Sequence, residues 1–240
     1  MKNLSKILVF TVLSVFLVAG SAMAVPTIPP TAGYTWVDNP YWTPTDLTTG
    51  EDGESLFIIK VEHAAYESNF GLYTVDDISS PTKSIGMHFE IFDKNDEAWA
   101  QKDVYFRQTG ANWDITTDNI SDPDNVTWTS FDNEFGFYYG VYAGGMDDPS
   151  IDYTYYSDSQ FNTVDKGDQH VAVEWNGVSG VNIYLEDLPS ANADWDWQDM
   201  TVLGNDLAPA PVPEPATMLL LGSGLVGLAG FGRKKFFKKG

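Results

Sequence analysis

The sequence predicts an all-β fold, an antiparallel β-sandwich with a jelly-roll-like strand order. Short segments of alternating apolar and polar residues recur along the chain, and turn-forming pairs such as Asn-Gly and Asp-Pro separate them. No segment between the two ends keeps a 3.6-residue period long enough for a substantial helix. The 240 residues include no cysteine, so the predicted core is held by apolar packing or by bound metal rather than by disulfides.

Six segments show the strand pattern, with β-branched or aromatic residues at every second position. In chain order they are residues 57–61, 85–91, 135–139, 151–155, 171–175 and 181–185. Asn176-Gly177 follows the fifth segment and predicts a β-hairpin that joins it to the sixth. Residues 25–207 are therefore predicted to form one sandwich domain, a size that suits a single hydrophobic core.

The N-terminal segment has the three parts of a secretory signal peptide. Within residues 1–24, two lysines precede an apolar stretch at 7–19, and a small-residue cleavage site ends at Ala24. We therefore predict that signal peptidase cuts between Ala24 and Val25 and that the rest of the chain is exported.

The C-terminal segment has a different three-part pattern. The motif Val212-Pro213-Glu214-Pro215 precedes an uncharged run at 216–232 and a basic tail at 233–240. A helix over that run would span about 25 Å, which is at the short end of what crosses a membrane. The basic tail would hold its end in the cytoplasm. Residues 208–211, rich in Ala and Pro, are predicted to be a stiff linker to this segment.

Motif, helix and basic tail, in this order, resemble the PEP-CTERM sorting signal, which exosortase-type membrane enzymes recognise on exported proteins of biofilm-forming bacteria. The resemblance covers residues 212–240. It implies that an exosortase-like enzyme processes the precursor at or near Pro213-Glu214-Pro215, and that the product reaches the cell surface or the extracellular matrix. The alternative from the residues alone is an ordinary C-terminal anchor that is never processed.

The charge balance restricts the partners of the body. Of the 34 acidic residues only Glu214 lies in the tail, and seven of the 13 basic residues lie in the two end segments. The body thus carries 33 acidic residues against six basic ones, which makes nucleic acid and anionic lipid unsuitable partners. Such an acidic body favours divalent cations as partners. The alternative is that its acidic residues form a solvated surface without a bound partner.

The densest acidic cluster predicts a Ca²⁺ site. It consists of Glu186, Asp187, Asp194, Asp196 and Asp199. Ca²⁺ takes six to eight oxygen ligands, and carboxylates at close spacing on a loop provide them. The alternative is that these carboxylates cap the turns of their own loop.

A second resemblance covers residues 135–202. The segments Phe135-Gly136-Phe137-Tyr138, Gly167-Asp168-Gln169-His170-Val171, Glu186-Asp187-Leu188 and the Asp-x-Asp-x-x-Asp run resemble the domain of unknown function family 4114, where Trp197 and Gln198 replace the family's Tyr and Asn. The family is met in bacterial surface and adhesin-like proteins. The resemblance implies a β-rich, cation-stabilised surface domain without enzymatic activity.

These observations predict a structural or adhesive exported protein that is not an enzyme. Two alternatives remain open. The eight tryptophans could stack on sugar rings in a carbohydrate-binding module acting on exopolysaccharide, and a pair of the many carboxylates could serve a secreted glycoside hydrolase.

Residues 93–97 resemble the start of an EF-hand loop but are predicted to be an acidic turn. His63, His88 and His170 have no metal-ligand spacing, and we expect His170 to make a structural hydrogen bond.

Overall fold

The computed structural model describes residues 29–45, 53–62, 67–110, 112–144, 150–165 and 167–211. The predicted signal peptide, its Ala24–Val25 junction and residues 212–240 lie outside these ranges. Within them the chain forms β-strands and two short 3₁₀ helices, at Pro123–Asn125 and Ser159–Phe161, and no α-helix. None of the described residues belongs to a helix with the length and apolar character needed to cross a membrane.

The strands are numbered in chain order. They are β1 Thr35–Trp36, β2 Tyr41–Pro44, β3 Gly53–Glu62, β4 Glu67–Val75, β5 Ile85–Phe92, β6 Gln101–Thr109, β7 Asn112–Thr116, β8 Thr129–Phe131, β9 Phe135–Tyr142, β10 Tyr153–Tyr156, β11 Val171–Trp175, β12 Val181–Leu185, β13 Met200–Gly204 and β14 Leu207–Pro209.

The strands form two antiparallel sheets. The larger sheet has the order β1-β11-β12-β13-β3-β6-β7-β8, and the smaller one has the order β14-β2-β9-β4-β5, with β10 also paired to β9. The predicted all-β antiparallel fold is confirmed, and the two sheets are consistent with a β-sandwich. The jelly-roll-like strand order stays a prediction.

The hydrophobic core is made of aromatic rings that the two sheets direct at each other. Phe57 of β3 lies 6.2 Å from Phe70 of β4, measured between ring centroids, and Phe106 of β6 stacks on Phe135 of β9 at 5.5 Å. All four side chains are completely buried. Large aromatic side chains bury much apolar area each, so they supply the core of this protein without disulfides.

Each of the six segments with the alternating pattern overlaps a strand, namely β3, β5, β9, β10, β11 and β12. The predicted hairpin between β11 and β12 is also present, with a loop at residues 176–180. Asn176 Oδ1 accepts hydrogen bonds from the N–H groups of Val178, Ser179 and Gly180. Gly177 has a φ of +82°, a conformation that suits glycine and explains its place in this turn.

The predicted linker at 208–211 differs from the structure. Its first two residues belong to β14, which pairs with β2 at one edge of the smaller sheet. Ala210 is buried, and its N–H donates to the Tyr41 carbonyl at 2.9 Å. Proline is tolerated on an edge strand because its missing N–H removes no ladder bond there, so the Ala/Pro composition does not prevent pairing. The folded body therefore extends to Ala210.

Candidate metal centre

The antiparallel pairing of β12 with β13 brings the predicted acidic residues together where these two central strands of the larger sheet end and begin. Leu185, the last residue of β12, is opposite Met200, the first residue of β13. Glu186 and Asp187 therefore leave the sheet where Asp199 enters it. The Asp187 N–H donates to Asp199 Oδ2 at 2.8 Å, which ties the two ends of the intervening loop together.

The structure brings all five predicted carboxylates together in two groups of three. Glu186, Asp187 and Asp199 form one group, and Glu186, Asp194 and Asp196 form the other. Within each group, one carboxylate oxygen from each residue lies within 4.8 Å of the others. Glu186 and Asp187 are completely buried, Asp199 is half-buried, and Asp194 and Asp196 are exposed.

The loop carboxylates also cap turns, as the alternative prediction expected. Asp194 Oδ1 accepts the Asp196 N–H at 3.2 Å, and Asp196 Oδ1 accepts the Gln198 N–H at 3.0 Å. Each of these hydrogen bonds uses one oxygen, so a second carboxylate oxygen remains on both residues. Turn capping and cation binding are thus compatible in this loop.

Two tryptophans of the same loop adopt the left-handed conformation. Trp195 has a φ of +56° and Trp197 a φ of +59°, which bulky residues normally avoid. Packing holds them there, because Trp197 is buried and Trp195 contacts the ring of His170 at a centroid distance of 5.4 Å. The surrounding contacts therefore fix a strained loop around the exposed pair of carboxylates.

The electrostatics of the cluster are unfavourable for a fully ionised state. Burial raises the pKa of Glu186 to about 8, and the negative charge of Asp199 adds to this effect. Burial also raises the pKa of Asp199 to about 6, against the lowering effect of its hydrogen bond from Asp187 N–H. Glu186 Oε2 is buried without a hydrogen-bond partner. Among the described residues, no basic side chain forms an ion pair with Glu186, Asp194, Asp196 or Asp199.

His170 supports the backbone of this site. Its Nδ1 lies 3.1 Å from the Glu186 carbonyl oxygen, its Nε2 lies 2.9 Å from Asp165 Oδ2, and its ring stacks on Tyr155 at 3.8 Å. Burial lowers its pKa. The structure thus shows the structural hydrogen bond expected for His170. Asp165 and Tyr155 lie in other segments of the chain, and no local pattern marks them as contacts of His170.

The other histidines, the EF-hand-like segment and the tryptophans are further candidates from the sequence. His88 shares a hydrogen bond with the Tyr156 hydroxyl at 3.1 Å, and His63 lies outside the described residues. Asp93 caps its own turn by accepting the Asn95 N–H at 2.7 Å, as an acidic turn would. Of the eight tryptophans only Trp99 is exposed, at 65 %, and the others are buried or half-buried. A sugar-stacking surface has little support from this distribution.

The fold and the cluster together define an acidic, all-β protein with a candidate cation site at the ends of two central strands. Residues 211–234 match the PEP-CTERM protein-sorting motif, which confirms the prediction for this part of the chain. The motif implies an exported surface protein that is anchored at the membrane before an exosortase-like membrane enzyme processes it. Comparison with curated proteins and with solved structures finds no match. The resemblance of residues 135–202 to family 4114 stays a prediction.

Proposed function

We propose that this protein is a structural or adhesive component of the cell surface or extracellular matrix, that it is not an enzyme, and that Ca²⁺ stabilises its β-sandwich. The sorting motif at 211–234 supports export and processing. The observation that carries the calcium proposal is Glu186, whose buried carboxylate faces other carboxylates and has one oxygen without a hydrogen bond. A buried charge of this kind requires a counter-ion or a proton.

The chemistry of the donor set favours Ca²⁺ over other divalent cations. All five candidate ligands are carboxylates, and no histidine belongs to either group of three. Zinc sites in proteins use mainly Cys and His ligands. Mg²⁺ demands near-ideal octahedral geometry, whereas Ca²⁺ accepts six to eight oxygens in flexible arrangements. Two buried, one half-buried and two exposed carboxylates on and beside an irregular loop suit the flexible coordination of Ca²⁺.

The position of the cluster explains why a bound cation would stabilise the fold. Glu186 and Asp187 follow the end of β12, Asp199 precedes β13, and the loop between them runs over residues 188–198. A cation held by both ends would fasten this loop to two central strands of the larger sheet. It would also remove the repulsion among carboxylates that the sandwich otherwise has to tolerate. Rigidity that depends on external calcium fits a structural role outside the cell.

The test uses the full-length chain in detergent micelles after removal of metal with EDTA. Thermal unfolding is followed by circular dichroism with and without CaCl₂, and binding is measured by isothermal titration calorimetry. At a calcium concentration 100 times Kd, linkage predicts a stabilisation of about 2.7 kcal/mol. Asp77→Asn is the matched control, because Asp77 is an exposed turn-capping residue far from the cluster in sequence. If neither binding heat nor a rise in Tm is observed, calcium stabilisation is wrong.

A further inference from the structure

The geometry points to two cation positions that share Glu186, an inner one completed by Asp187 and Asp199 and an outer one completed by Asp194 and Asp196. This inference rests on the proposed function, since it requires that the cluster binds Ca²⁺. It adds the number of cations, the ligands of each and the different role of each position.

The first argument is the arrangement of the oxygen atoms. Ca²⁺ lies about 2.3–2.6 Å from its ligands, so oxygens around one ion are separated by no more than about twice that distance. Both groups of three meet this limit, because their oxygens lie within 4.8 Å of one another. The groups have only Glu186 in common. A carboxylate has two oxygens and can bridge two cations, as ligands do in two-metal sites with ions about 3.5–4 Å apart.

The second argument is the buried oxygen of Glu186. This side chain is completely buried, and its Oε1 receives only a long contact of 3.4 Å from the Leu188 N–H, while Oε2 has no hydrogen-bond partner. A carboxylate that is removed from water without donors is costly. In each of the two groups, oxygens of two other acidic residues lie within 4.8 Å of a Glu186 oxygen, so two bound cations would satisfy both oxygens of Glu186.

The third argument is charge. One divalent cation offsets two of the five carboxylate charges, and two cations offset four. For Glu186, Asp194, Asp196 and Asp199, basic side chains do not supply the difference, because none of those among the described residues forms an ion pair with these four carboxylates. Two cations therefore balance the cluster better than one.

The two positions differ in exposure, which gives them different roles. The inner position has two buried ligands, and Asp199 also accepts the Asp187 N–H that closes the loop. The outer position has two exposed ligands, so solvent completes its coordination. We therefore assign stabilisation of the fold to the inner cation. The outer cation exchanges with solvent more readily and has coordination sites open to external oxygen ligands.

The test measures calcium stoichiometry on the full-length chain in detergent, by calorimetry and by equilibrium dialysis against ⁴⁵Ca²⁺. Wild type should bind two Ca²⁺ per chain. The double variant Asp194→Asn with Asp196→Asn should bind one Ca²⁺ and keep most of the calcium-dependent rise in Tm. Asparagine keeps an oxygen that can cap the turns, so this variant removes charge from the outer position while it preserves the loop.

Two further variants complete the design. Asp199→Asn should lose the calcium-dependent rise in Tm, and its circular dichroism spectrum checks that the sandwich is intact. Asp77→Asn removes a charge from another exposed turn, where Asp77 Oδ1 accepts the Ser79 N–H at 2.8 Å, and it should bind two Ca²⁺ as wild type does.

The possible outcomes separate the two-position arrangement from the calcium binding on which it rests. A single Ca²⁺ per wild-type chain, two in the double variant, or none in the double variant would overturn the two-position arrangement and leave calcium stabilisation standing. No Ca²⁺ bound to wild type would overturn the proposed function itself.

Discussion

Replacing Glu186 with Gln should stabilise the metal-free protein and abolish its response to calcium. Glutamine has nearly the shape of glutamate but carries no charge, so the substitution removes the buried charge that faces the other carboxylates. Without a cation, that charge is a cost to the folded state. With a cation, it is a ligand shared by both groups of three.

The size of the effect follows from the oxygen separation. Two unit charges 4.8 Å apart, the upper limit within each group, repel each other by about 3.5 kcal/mol at an effective dielectric constant of about 20. At pH 9, above the pKa of about 8 for Glu186 and about 6 for Asp199, both groups are ionised. Counting this pair alone, Glu186→Gln should stabilise the metal-free chain by about 3 kcal/mol.

The assay is urea unfolding of the full-length chain in detergent at pH 9, followed by tryptophan fluorescence in EDTA and in CaCl₂. Wild type should gain about 2.7 kcal/mol at 100 times Kd, and Glu186→Gln should gain nothing.

The matched control for this assay is Glu174→Gln. Glu174 is also completely buried, but it accepts hydrogen bonds from the Thr31 N–H and hydroxyl, both at 2.6 Å, and from Asn182 Nδ2 at 3.0 Å. An amide there places a donor against a donor, so this variant should be less stable by about 1–3 kcal/mol in both buffers. If Glu186→Gln is destabilised in EDTA as Glu174→Gln is, the charge of Glu186 is not a cost and the argument for a cation fails.

Two other predictions concern pH and packing. Without metal, the free energy of unfolding should fall as the pH rises from about 4.5 to about 8, because the folded state keeps a proton on Glu186 that the unfolded chain has already released. Thermal unfolding in EDTA across this pH range measures the effect, and saturating calcium should flatten the profile. A flat profile in EDTA would contradict the prediction. Gly71→Ala should destabilise the protein by about 1–3 kcal/mol, with or without calcium, because a Cβ there would lie 2.2 Å from the Phe89 carbonyl oxygen on β5. Chemical unfolding checks this, and unchanged stability would show that β5 can move away.

The strands that the sequence predicts are those whose residues alternate between large apolar side chains and polar or small ones. β12 alternates clearly, because its odd-numbered residues enter the core while Asn182 and Tyr184 lie on its other face and donate hydrogen bonds to the buried Glu174. β4 gives no such signal, because its sequence ESNFGLYTV does not alternate in this way, although all but the first of its residues are buried. β14 was missed for a different reason: its Ala/Pro composition is typical of a linker, and only the pairing with β2 makes it a strand.

The candidate site could be predicted in composition but not in arrangement. The spacing of Asp194, Asp196 and Asp199 with the preceding acidic pair identified all five carboxylates that the structure brings together. Their division into two groups depends on the register of β12 and β13, in which Leu185 is opposite Met200. That register is a tertiary property, and local spacing carries no information about it.

The pairing of β14 with β2 also limits the clearance between the folded body and the sorting motif. The Ala210 carbonyl accepts a hydrogen bond from Asn39 Nδ2 at 2.9 Å, so the chain is still fastened at the residue before the matched segment begins. From Ala210, residues 211–215 can reach at most about 18 Å at full extension. An enzyme that acts on the motif while the sandwich is folded must therefore approach to within that distance of β14 and β2. The shape of this sheet edge is then part of what the enzyme has to accommodate.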